Sequence, residues 1–171
     1  MAHFLFSAPV RGPQATTLGI DPQNIDVKVT MRGGTAAAGD VLVFDLDATD
    51  AAVTSGVPGT MASIWSNVRA AAAAEIAGQS SAFVCVALEA MADDAEGMVR
   101  IHGIVDAFVI GAAGSMAVGT QLVLAASNNA DIVQATGERI IGIGLEAVAS
   151  PTTRTLGSIY INGFISLGIA A

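Results

Sequence analysis

Few residues in this chain could do chemistry. There is one thiol, Cys85, and there are two imidazoles, His3 and His102. The notable carboxylates are Asp45, Asp47 and Asp50 in DLDATD, Asp93, Asp94 and Glu96 in MADDAEG, and the separate pair Glu89 and Glu146. A nucleophilic cysteine needs a nearby base and an exposed, electropositive setting. Cys85 lies inside the apolar run FVCVALEA (83–90) and reads as a buried structural thiol. A zinc site needs three or four ligands, and two histidines of unlike context do not supply them. His102, between Ile101 and Gly103, reads as a surface histidine. A calcium loop starting at Asp45 would need glycine at its sixth position and glutamate at its twelfth. Those positions hold Asp50 and Gly56, so both acidic runs read as solvated turns. Glycosidases work with two carboxylates. Glu89 and Glu146, however, recur at matching places in a repeated string and lack an aromatic platform for a sugar. They read as caps of strand ends or members of symmetric ion pairs. Neither a Walker loop nor Gly-x-Gly-x-x-Gly occurs. Catalytic residues, cofactor and metal are all expected to be none, and the chain is read as a non-enzyme.

The elements that would position these residues repeat. IIGIGLEA (140–147) restates FVCVALEA (83–90), and GSIYING (157–163) restates GMVRIHG (97–103). Upstream, GTQLVL (119–124) restates GDVLVF (39–44). Alternate residues of a strand share a face. Val84, Val86 and Leu88 therefore line one bulky face, answered by Ile141, Ile143 and Leu145. All six are expected to be buried. The opposite faces carry Cys85 and Ala87, or Gly142 and Gly144, which admit a closely approaching layer. Three strings recurring in order predict two similar β-halves around one core, at about 39–105 and 119–165. The fold class is therefore all-β, a small barrel or sandwich.

Elsewhere, IDVKVTM (25–31) alternates and predicts the first strand. Residues 1–24 contain Pro9, Pro13 and Pro22 and predict an extended N-terminal arm. An insertion at about 45–77 ends in MASIWSNVRAAAAAEIA. Its alanine run predicts a short helix or an irregular loop.

Composition narrows the classes of function. Of 171 residues 53% are apolar, enough for a core, while only 5% are aromatic. Seven basic residues against fifteen acidic ones leave a net charge of −8. The cations are scattered singly, whereas nucleic-acid binding needs them clustered. The long uncharged run between Asp106 and Asp131 is rich in Gly, Ser and Asn, which argues against a membrane span. One cysteine fits synthesis in a reducing compartment, and the N-terminus lacks the basic region of a signal peptide. The chain is expected to be soluble, without nucleic-acid or membrane partners.

The Gly-Asp-Val-Leu opening at 39–42, Val-Ala-Leu-Glu-Ala at 86–90 and Gly-x-Val-x-Ile-x-Gly at 97–103 form a first pass. Gly119, GIGLEA (142–147) and IYINGFI (159–165) form a second. In this order and spacing the chain resembles the capsid decoration (cement, or head-stabilising) proteins of tailed bacteriophages, over about positions 25–165. The resemblance implies a structural protein of the virion, made in the host cytoplasm and placed on the capsid exterior. It implies a homotrimer that bridges neighbouring major capsid proteins. By the same analogy the N-terminal arm grasps the capsid, with Phe4, Leu5 and Phe6 as apolar anchors and Arg11 as an ion-pair partner. The alternative is a receptor- or carbohydrate-binding β-module of a virion or other assembly. That reading wants exposed aromatics, and Trp65 and Tyr160 are the sole Trp and Tyr.

Overall fold

The computed structural model describes residues 24–45, 67–71, 83–110, 115–125, 129–132, 140–149 and 153–163. Among these residues there are nine strands and no helix. They are β1 (Ile25–Met31), β2 (Val41–Phe44), β3 (Asn67–Arg69), β4 (Val84–Ala87), β5 (Glu96–Ile110), β6 (Gln121–Ala125), β7 (Asn129–Ile132), β8 (Ile140–Gly144) and β9 (Thr155–Asn162). The fold is all-β, as the alternation predicts.

The sheet closes twice. One ring runs β1-β3-β2-β4-β5 and returns to β1; the other runs β5-β7-β6-β8-β9 and returns to β5. The fifteen-residue strand β5 belongs to both. Its first part pairs antiparallel with β1 and β4, and its second part with β9. The two rings have the same wiring. β1–β3 and β5–β7 are the parallel pairs, and the remaining ladders are antiparallel. The repeated unit therefore has five strands, and β5 is the last strand of the first unit and the first strand of the second.

The match reaches single hydrogen bonds. In the first unit the Gly39 N–H donates to the Ala87 carbonyl, and Leu88 N–H to the Met98 carbonyl, at 2.8 and 2.9 Å. In the second, Gly119 donates to Gly144 and Leu145 to Ser158, again at 2.8 and 2.9 Å. Bridges between Ala36 and Met91, and between Met116 and Val148, are a third matched pair. Gly39 and Gly119 sit at φ of 93° and 87°, which a side chain would strain.

The halves do not surround one core, which corrects the expectation above. Val29, Met31, Leu42, Phe44, Val99 and Ile101 belong to a cluster inside the first ring. Val105, Val109, Met116, Leu122, Ile159 and Ile161 belong to a second cluster. β2 and β4 are buried on both faces. Leu42 and Phe44 join the first cluster, while Val41, Val43, Val84 and Val86 join the second, so these strands form a wall between the two.

The bulky face of the repeated string is likewise not the barrel interior. Val84, Val86 and Ile141 are buried, but Leu88 and Ile143 are only half-buried and Leu145 is 36% exposed. A five-stranded ring is narrow, and methionines fill it. A Cβ on Gly144 would lie 2.8 Å from Met116 Cγ, and one on Gly142 2.8 Å from the Tyr160 carbonyl. The small face therefore points inward and the bulky face outward. Asn67–Arg69, expected in a helix or irregular loop, is instead strand β3. It is held between β1 and β2 despite the alanine run that follows it.

Candidate functional site

Among the described residues, the chemistry-bearing side chains are occupied by the fold. Cys85 is fully buried, with Sγ 3.8 Å from the Leu42 carbonyl, and burial pushes its thiol pKa upward, away from the reactive thiolate. His102 is not the surface histidine the sequence suggests. It is half-buried, with Nε2 2.8 Å from the Tyr160 hydroxyl and the rings edge to face at 5.4 Å. The two side chains share the outer face of adjacent strands, because β9 sets Tyr160 against Ile104 and Asn162 against His102. That diagonal was hidden in the sequence by a separation of 58 positions.

Glu89 and Glu146 act as caps. Glu89 Oε1 accepts from Met98 N–H at 2.8 Å, and Glu146 Oε1 from Ser158 N–H at 2.7 Å. Each carboxylate thus takes an edge amide of its own unit's final strand. This explains why Leu-Glu-Ala is spelled twice. The acidic runs hold turns together: the Gly34 N–H donates to Asp93 at 3.2 Å, and Arg32 pairs with Asp94. Asp45 receives the Arg69 guanidinium at 3.4 Å. Asp47 and Asp50 lie outside the described residues, as do the expected capsid contacts Phe4, Leu5, Phe6 and Arg11. Among the described residues no group of three His, Cys, Asp or Glu side chains could hold a metal ion. No helix among them is long and apolar enough to cross a membrane.

A concavity among the described residues lies where the two units meet. It measures about 440 Å³ and is lined by Ala38, Gly39, Ala87 and Leu88 of the first unit, by Arg100, Ile104, Val105 and Asp106 of β5, and by Leu156 of β9. Ile104 is 41% and Leu156 50% exposed. Arg100 is held at one end, its guanidinium in a two-pronged pair with Asp26 at 2.7 and 2.9 Å. The hydrogen bond to Asp26 raises the Arg100 pKa, against the lowering effect of burial. At the other end the turn 37–40 docks on the second unit. Phe108 N–H donates to the Gly39 carbonyl at 2.8 Å, Arg154 stacks 3.6 Å above the Phe108 ring, and Arg154 pairs with the buried Asp40 carboxylate. Partial desolvation lowers the Arg154 pKa. Sequence reasoning missed this cleft. Its one legible signal was that Asp40 is aspartate where its twin, Thr120, is not.

No family model matches the chain, and no curated protein matches its sequence. Among solved structures the chain is similar to the N base of the head fiber gp8.5 of bacteriophage phi29. The identity is 12%, the TM-score is 0.48, and the match covers 85% of this chain and 99% of the other.

Proposed function

We propose that this chain is a non-enzymatic structural protein of a tailed-phage virion. It binds the outer surface of the capsid and stabilises it by bridging major capsid proteins. The observation that supports this is what the repeated strings do. GDVLVF, the two Leu-Glu-Ala strings and the two Gly-x-aliphatic strands, on which the resemblance to decoration proteins rests, are the turn-and-strand joints of both units. The thiol, the imidazole and the paired glutamates have structural partners there. The reading includes assembly as a homotrimer and attachment through the arm, with Phe4, Leu5, Phe6 and Arg11 meeting the shell. Proline fixes backbone angles in advance, so an extended arm loses less entropy on docking. Binding restricted to the assembled shell stabilises that shell by mass action.

The test mixes the purified chain with undecorated heads and follows cosedimentation and the temperature of head disruption. The full chain should attach and raise that temperature. A chain lacking residues 1–20 should attach at least tenfold more weakly, about 1.4 kcal/mol. Failure of the full chain to bind any head overturns the capsid reading, while equal binding by the shortened chain overturns the role of the arm alone.

A further inference from the structure

The edge of β5 that faces the cleft is open at one residue. Ile104 N–H donates to Asn24 Oδ1 at 3.0 Å, and Phe108 N–H donates to the Gly39 carbonyl. Alternate residues of a strand send their amides to the same edge. The N–H and C=O of Asp106, midway between these two, therefore point the same way, into the cleft. Among the described residues nothing hydrogen-bonds to Asp106 on that edge, although Asn24 and Gly39 close it on either side. The Asp106 side chain stands on the outer face beside Ile104, with Leu156 beyond.

We infer that this cleft is a docking site for a short extended segment of a different polypeptide, centred on a lysine or arginine. The central residue exchanges two main-chain hydrogen bonds with Asp106, as in strand addition to a sheet edge. Its side chain falls on the same face as the Asp106 carboxylate, where opposite charges directly across a ladder attract. The aliphatic stem of a lysine or arginine covers Ile104 and Leu156 while its charged end stays in water. A residue advances about 3.3 Å along a strand, so the gap between Ile104 and Phe108 takes about three residues.

Two observations identify the occupant as foreign. All five cations among the described residues are already paired within the chain: Lys28 with Glu96, Arg32 with Asp94, Arg69 with Asp45, Arg100 with Asp26 and Arg154 with Asp40. A second copy, at net charge −8, is a poor source of the cation. This inference holds whether or not the assembly is a capsid.

The probes are the blocked pentapeptide Thr-Val-Lys-Val-Thr and its counterpart with glutamate at the centre, added to the full-length chain at millimolar concentration. Amide shifts and hydrogen exchange are read by NMR. The lysine peptide should shift the Asp106 amide and slow its exchange tenfold or more. The glutamate peptide should bind at least tenfold more weakly. Asp106→Lys should invert that preference and Asp106→Asn should abolish it, with melting temperatures close to that of the parent. Equal binding of the two peptides, or shifts centred away from Asp106, overturns the inference. So does a slowly exchanging Asp106 amide in the free chain. Slow exchange that persists on dilution would mean that the chain's own segment fills the cleft; exchange that speeds up on dilution would mean that a second copy fills it.

Discussion

The turns at 37–40 and 117–120 are the same piece of backbone in two settings. Each has a glycine at strongly positive φ and a side-chain oxygen at its fourth residue that accepts the amide of its first at 2.9 Å, from Ala37 to Asp40 and from Ala117 to Thr120. The first turn is pressed against the second unit. A Cβ on Gly39 would sit 2.7 Å from Leu156 Cδ2 and 3.3 Å from the Phe108 ring. Among the described residues no such neighbour packs against the second turn. A Cβ on Gly119 would meet nothing within 4 Å, and Val118 beside it is 71% exposed. The sequences have diverged to match: the docked turn carries a carboxylate for Arg154, and the free turn a neutral hydroxyl. Duplication copies the conformation, and the neighbour then decides which side chains are worth keeping.

The comparison can be broken first at the two interiors. Leu42 and Leu122 are fully buried twins, and Leu42→Ala and Leu122→Ala should each cost about 3 kcal/mol by denaturant titration. Cys85 sharpens this result, because its counterpart is Gly142 and its raised pKa leaves the native thiol unreactive. Labelling by a thiol reagent should proceed only through opening of the first unit and should accelerate in Leu42→Ala. If Leu122→Ala accelerates it equally, the two units open together.

The turns should separate next. Gly39→Ala combines backbone strain with a clash and should cost about 2–3 kcal/mol, whereas Gly119→Ala carries the strain alone, about 1 kcal/mol. Equal losses would mean that the first turn is not held against β9. Asp40→Ala should cost about 1.5 kcal/mol, discounted because Arg154 is partly solvated, against about 0.5 kcal/mol for Thr120→Ala. The smallest effects, about 1 kcal/mol or less, belong to Glu89→Ala and Glu146→Ala, and they should be equal. A difference above that size would show that one glutamate does more than cap an amide.

The repeat was legible where a turn or cap demanded a residue type: the glycines at 39 and 119, and the glutamates at 89 and 146. The likeness of β1 to the second part of β5 was not. Register aligns Val27, Val29 and Met31 with Val105, Ala107 and Val109, and three inward apolar residues are too ordinary to stand out. β3 and β7 match through Asn67 and Asn129, both buried, but the elements are too short for the eye. The inward face was misassigned because side-chain bulk usually marks the interior, and here methionines from the loops take that volume. The cleft was invisible because it joins residues from both units at a place no single string describes.

The shared strand also sets an order of events during synthesis. The first ring has all its strands once Ile110 has left the ribosome, whereas the second must wait for β9, some fifty residues later, a few seconds at ordinary elongation rates of roughly 5–20 residues per second. Throughout that interval the edge of β5 that β9 will take, from His102 to Val109, stands unpaired on a ring that can already close. Such an edge is a hazard for pairing with neighbouring chains, and here it is also the template on which the second ring is laid down. A nascent chain paused before residue 155 should therefore be the most aggregation-prone intermediate in the life of this molecule.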